Sequence, residues 1–319
     1  MKQHSRRIRM MIAAVTLMSA ACLVLGSPQR SMTAFFVPML TFLETGRFPV
    51  TIKTVQIPAE TAPPTQKPTS GITLTREDGD YIEMLYRCDY RPDIESLLLK
   101  PLHWDLTAEG PRVLIVHTHA TECYTDAPSA QHDPYRTLDE NHNMVAMGRE
   151  LARLLEEGGI EVIHDTTYHD YPDYNSAYVN TRETIAGYLE KYPTIQMVLD
   201  LHRDASDSTA GQLVTSATVG GQRSAQLLLM TGTDAGGSYH PNWQENLSLA
   251  LKLSAVLEAE DPGLCRPVTL RSERFNTDMT PGSLIVEVGA AGNTAAEAKL
   301  AVSALARGIL TIAHGVNRS

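Results

Sequence analysis

One stretch constrains this chain more than any other: the four branched apolar residues from Val113 to Val116, followed at once by a polar cluster containing His117, Thr118, His119, Thr121 and Glu122. An unbroken apolar run of this length reads as a short strand buried on both faces, which is the pattern of an inner strand of a parallel sheet covered by helices. The polar residues then stand at its carboxyl end, where ligands and catalytic groups collect in open α/β sheets. His119 and Glu122 are spaced H-x-x-E, which lets an imidazole and a carboxylate turn onto one cation just past a strand.

The downstream sequence repeats the strand and helix rhythm. Asn143 to Glu157 carries apolar residues near helical spacing and is stopped by Gly158 and Gly159. Ile160 to His164 reads as a strand, Thr181 to Lys191 as a helix ended before Pro193, and Gln196 to Leu201 as a strand closed by His202, Arg203 and Asp204. A strand over Ala225 to Thr231, a helix over Asn242 to Leu257, a strand over Ser283 to Val288 and a closing helix over Thr294 to Val316 complete the pattern. The expected fold is α/β, a mostly parallel twisted sheet flanked by helices.

Two more strand ends supply chemistry. His202 projects from the end of MVLDL as His119 does from VLIV, so adjacent parallel strands would bring both imidazoles to one rim. Two histidines and Glu122 leave zinc an open fourth position, the arrangement of a catalytic site. Glu287 interrupts the apolar strand SLIVEVG, where an ionised carboxylate is costly unless a cation or a reacting proton lies beside it; it is the candidate general base. His117 is the rival of His119 for the first ligand position. Arg203 reads either as a holder of a substrate carboxylate or as the ion-pair partner of Asp204, and His240, in HPNWQEN, as a substrate-facing residue. His132, His142, His164 and His169 are read as solvent-facing.

The formal net charge of -10 argues against a general nucleic-acid binder. The four cysteines form no C-x-x-C pair, so no disulfide framework or structural zinc site is expected, and Cys123 reads as a structural thiol. Lys2, Arg6, Arg7 and Arg9 precede an apolar run from Met10 to Leu25, the pattern of a single-pass anchor with a cytoplasmic N-terminus and everything after it outside; a cleaved signal peptide is the other reading. The expected organisation is a basic tail and anchor over 1–30, a juxtamembrane, Pro-rich linker and leading segment over 31–100, and a catalytic domain over 101–319.

Five segments, in order, resemble the stage II sporulation protein P family: GPRVLIVHTHATECY, NMVAMGRELARLLEEGGIEVIHDTTYHD, YPTIQMVLDLHRDA, HPNWQENLSLAL and RFNTDMTPGSLIVEVGAAGNT. The resemblance runs from about Pro101 to the C-terminus. It implies a membrane-anchored peptidoglycan hydrolase of sporulation engulfment, with an amidase or zinc-carboxypeptidase-like fold and Zn2+ as cofactor. The implied reaction is that of an N-acetylmuramoyl-L-alanine amidase (EC 3.5.1.28 type), with endopeptidase activity on crosslinks and stage II sporulation protein D, a lytic transglycosylase, as partner. Such amidases take a ligand glutamate from the first helix, which makes Glu140 the rival of Glu122; they also carry D-P-G-H-G-G where this chain has V-H-T-H-A-T. The alternatives are a zinc carboxypeptidase-like peptidase and a non-catalytic peptidoglycan-binding scaffold.

Overall fold

The structure is a computed structural model that describes residues 74–315 except 104, 129–132, 134, 206, 209 and 210. Every described residue lies in a single compact unit. The expected anchor and most of the linker therefore fall outside the described residues. Among the described residues no helix is long and apolar enough to cross a membrane.

A seven-stranded sheet forms the frame. After the short helix α1 (Arg76–Gly79) come β1 (Met84–Arg87), α2 (Ile94–Leu99), β2 (Val113–Val116), α3 (Met144–Glu157), β3 (Val162–His164), α4 (Ala177–Lys191) and β4 (Met197–Asp204). Two minor hairpins follow, β5 (Asp207–Ser208) with β6 (Gly211–Gln212) and β7 (Ala217–Val219) with β8 (Gln222–Ser224). The chain closes with β9 (Leu227–Thr231), α5 (Trp243–Glu260), β10 (Val268–Arg271), β11 (Ser283–Ala290) and α6 (Ala295–Gly315). The strand order is β1-β10-β9-β11-β4-β2-β3. Every pairing is parallel except that of β11 with β9, so the sheet is two parallel blocks of opposite direction joined along one seam.

The apolar run at Val113 to Val116 is β2, and all four residues are buried between β3 and β4. Burying each such side chain contributes roughly 1.5–3 kcal/mol, which holds this strand at the centre of its block. The helix α3 is positioned by its cap, the Asn143 side chain accepting from the Val145 N–H at 3.0 Å, and by an apolar face that includes Met147, Leu151 and Leu155. Helix α6, rich in alanine, packs against α3 and α5 and is buried over most of its length.

The leading segment differs from expectation. Residues 84–87 form a strand of the main sheet, paired along β10, and α2 packs on α5, so the sheet includes residues from before position 101. Its burial alternates as one face of an edge strand does, which a single short segment barely signals in sequence.

Candidate metal centre

The carboxyl ends of β2 and β4 are adjacent, because Val116 pairs with Asp200 in the parallel register, and the chain leaving β2 turns back over the end of β4. The turn closes with the Glu122 N–H donating to the His119 carbonyl at 3.2 Å, which converts the H-x-x-E spacing into two side chains facing one point. His119 Nδ1 lies 3.5 Å from Glu122 Oε1, and His202 Nδ1 lies 3.6 Å from Glu122 Oε2. The two imidazoles meet edge to face, with centroids 5.0 Å apart and planes at 89°. One donor atom from each of the three residues falls within 4.8 Å of the others.

This set fits zinc. Ligand atoms about 2.0–2.1 Å from a tetrahedral ion are spaced roughly 3.4 Å apart, close to the 3.5 and 3.6 Å separations here. Behind His202, the Asp200 carboxylate lies 3.0 Å from Nε2, a close ionic contact. Asp200 is itself held by the Thr118 N–H at 2.7 Å and the Thr118 hydroxyl at 2.6 Å. Asp200 and His202 are two residues apart on one strand and so share a face, and a carboxylate behind a metal-facing imidazole orients the ring and strengthens it as a donor. Asp200 was not singled out from the sequence; an aspartate inside MVLDL, two positions before a histidine, was the available signal.

Electrostatics follow the geometry. Burial alone would raise the Glu122 carboxyl, but hydrogen bonds from His119 and His202 and the charges of His202 and Arg203 outweigh it and hold Glu122 well below the usual carboxylate range. Burial opposes a charge on His202, yet Asp200 and Glu122 outweigh it and favour positive charge there. Glu287 sits across the strand pair from His202, in register on β11. Burial, aided by Glu122 and Asp204 and opposed by His202 and Arg203, pushes its carboxyl up to about 8. Its Oε2 is buried without a hydrogen-bond partner among the described residues.

The rival residues lie elsewhere. His117 is fully buried and faces away from the cluster: Nδ1 meets the Leu201 carbonyl at 3.2 Å and Nε2 meets His164 Nε2 at 2.9 Å, beneath Gly148. A carbonyl only accepts, so His117 carries its proton on Nδ1 and Nε2 accepts from His164. Burial, with the neighbouring imidazole, takes His117 down to about 3, and burial takes His164 down to about 4; the pair is neutral. Glu140 is exposed and lies 3.5 Å from Arg149. The expectation that His164 and His169 face solvent is corrected. His164 packs on His117, and His169 is buried with Nε2 3.2 Å from Asp165. His132 lies outside the described residues.

Neither reading of Arg203 holds. Its guanidinium is buried, with Nε donating to the Cys123 carbonyl at 2.9 Å and Nη2 to the Tyr135 carbonyl at 2.5 Å, while its N–H donates to Glu122 Oε2 at 3.1 Å. It is a strut that fixes the loop carrying Glu122. Asp204 pairs instead with Arg266 at 2.6 Å. His240 is buried against the Thr277 hydroxyl at 2.8 Å, with no contact to the cluster, which corrects its reading as substrate-facing. Cys123 is a buried free thiol that burial pushes up to about 11, unsuited to nucleophilic chemistry at neutral pH.

Fold and site together define an α/β protein with a two-histidine, one-carboxylate cluster at adjoining strands and a half-buried glutamate opposite. The sequence model of the family described as Stage II sporulation protein P (SpoIIP) matches residues 53–310, and the chain belongs to that family. Over 211 residues, 63% of this chain, it is 26% identical to Stage II sporulation protein P of Bacillus subtilis (strain 168); it spans about half that protein's length, 50%. Similar solved structures include the N-acetylmuramoyl-L-alanine amidase AmiC2 of Nostoc punctiforme, with TM-score 0.39, 13% identity and coverage of 64% of this chain and 97% of that one. The CwlD amidase of Clostridioides difficile, solved in complex with the GerS lipoprotein, gives TM-score 0.41 and 14% identity, covering 63% of this chain and 98% of that one.

Proposed function

We propose that this chain is a zinc-dependent peptidoglycan hydrolase of sporulation engulfment that cleaves the amide joining the lactyl group of N-acetylmuramic acid to L-alanine of the stem peptide. The observation that carries the reading is the convergence of His119, Glu122 and His202, with Glu287 in register with His202, in a chain of a sporulation family.

His119, Glu122 and His202 would hold the ion, and Asp200 would orient His202. Zinc, when bound in such a site, polarises a carbonyl and acidifies water. Glu287 accepts the proton of the attacking water and returns it to the amide nitrogen, so that the C–N bond breaks to release a free α-amine and a lactyl carboxylate. A carboxyl whose proton affinity burial raises toward neutrality performs that exchange near pH 7 better than an ordinary glutamate. The reading also includes an anchor over 1–30, an extracytoplasmic catalytic domain, endopeptidase activity on crosslinks at the same site and the companion transglycosylase stage II sporulation protein D as partner.

The test is digestion of purified sacculi by the full-length chain with and without zinc. New L-alanine amino termini and glycan freed of peptide are expected. Release of C-terminal residues alone would support the carboxypeptidase-like alternative, and binding without any cleavage, with or without the partner, would support the scaffold.

A further inference from the structure

The side of the metal cluster that faces outward is walled by aromatic rings. Tyr174 stacks on the His119 imidazole, with centroids 4.5 Å apart and planes 18° from parallel, and Tyr178 meets the same imidazole edge-on at 5.6 Å. The Arg136 guanidinium lies over the Tyr174 ring at 4.0 Å from its centroid. A nearly parallel imidazole already covers one face of that ring, so the guanidinium occupies the other, one aromatic thickness beyond His119.

Arg136 is not placed there by a wandering loop. Its backbone bridges Glu122 in antiparallel fashion, with the Cys123 N–H donating to the Tyr135 carbonyl at 3.0 Å and the Thr137 N–H to the Thr121 carbonyl at 2.8 Å. Asp133 Oδ1 accepts from the N–H groups of Tyr135 and Arg136 at 2.9 and 3.2 Å, setting the turn that leads in. The residue that carries this exposed cation thus pairs, through its backbone, with the glutamate of the cluster.

The charges around it make the position informative. Glu122 and Asp200 lie at this rim beside His202, and the chain as a whole is acidic, with a net charge of -10. An anionic substrate needs a local cation to approach such a surface. Arg203 is committed to two backbone carbonyls and Glu122, while no carboxylate of the described residues lies within ion-pair range of the Arg136 guanidinium. Stacking on Tyr174 orders the planar fork of this exposed side chain, a form suited to a carboxylate.

Resting on the peptidoglycan reading, we infer that Arg136, ordered by Tyr174, forms a subsite for the α-carboxylate of the γ-linked D-glutamate of the stem peptide. That carboxylate stands one residue beyond the scissile nitrogen, as Arg136 stands one ring beyond His119. Substrates in which it is amidated would lose the contact.

The experiment measures equilibrium binding, by calorimetry, of N-acetylmuramoyl-L-alanyl-D-glutamate peptides and their α-carboxamide counterparts to the full-length chain, together with kcat and KM for both. The wild type is expected to bind the acid about five- to tenfold more tightly than the amide, an effect between that of an exposed ion pair and that of a buried one. R136Q is expected to bind both alike and to lose KM more than kcat, and R136K to keep part of the preference. Equal binding of acid and amide by the wild type, no binding of either, or an equal loss of both in R136Q with R136K behaving the same, would overturn the inference. A preference in binding without turnover of either peptide would uphold the subsite while refuting the hydrolase reading.

Discussion

Replacing Asp200 by asparagine tests whether the carboxylate behind His202 sets the quality of the cluster. The substitution keeps the side-chain volume and leaves an oxygen to accept from the Thr118 N–H, which lies 2.7 Å from the present carboxylate. What it removes is the negative charge 3.0 Å from His202 Nε2. Loss of such an orienting carboxylate costs about 10–100-fold in metal affinity, roughly 1.4–2.7 kcal/mol. The full-length chain, titrated with zinc against a chromophoric chelator, should show D200N weaker by that factor, and its thermal melt without metal should shift far less than that of D200A, which leaves both Thr118 donors unpaired. A D200N protein that melts like wild type and holds zinc equally well would refute the reasoning, since the carboxylate would then serve only to cap Thr118.

Further outcomes follow from other sites. E287Q should fold and retain zinc while turnover falls by about two to four orders of magnitude; wild-type rates would remove Glu287 from the mechanism. Lys252 is fully buried, donates to the Leu98 carbonyl, and burial pushes it down to about 8. Its folded-state value lies below the unfolded one, near 10.4, so the cost of burying the charge is complete below pH 8 and fades as pH rises toward 10. K252M should therefore gain roughly 1–3 kcal/mol in urea unfolding at pH 7 and much less at pH 10; a gain that does not shrink with pH would refute the charge argument. A Cβ at Gly148 would overlap Nε2 of both His117 and His164. G148A should cost about 1–3 kcal/mol as overpacking, and an unchanged melting temperature would show that the pair yields freely.

Much of the fold was legible because buried strands and amphipathic helices advertise themselves locally. VLIV is a continuous apolar run and MVLDL one broken only by Asp200, and both are inner strands; His119 and His202 do meet, because the register sets the end of β2 beside Asp200 and the chain leaving it turns toward His202. Glu122 was legible from its spacing to His119, which the turn realises within one chain segment. The position of Arg203 was not, since its partners are backbone carbonyls of residues 123 and 135, and carbonyls leave no mark in a sequence. Arg136 and Tyr174 were missed for a related reason: they lie on separate irregular segments, and only the folded ends of β2 and α4 bring them together. The short strands β1 and β10 carry too few residues for their period to stand out, and it is their pairing, a long-range event, that makes them strands.

The neutral imidazole pair under Gly148 bears on the fidelity of metal loading. A chain that presents two histidines in H-x-H offers an incoming ion two coordination isomers, one of which would drag the end of β2 out of register. By committing both nitrogens of His117, one to the Leu201 carbonyl and one to His164, the fold takes the wrong isomer out of competition before any ion arrives. What looks like a redundant histidine beside a candidate ligand is thus an insulated one, and the candidate site keeps a single histidine of the H-x-H pair.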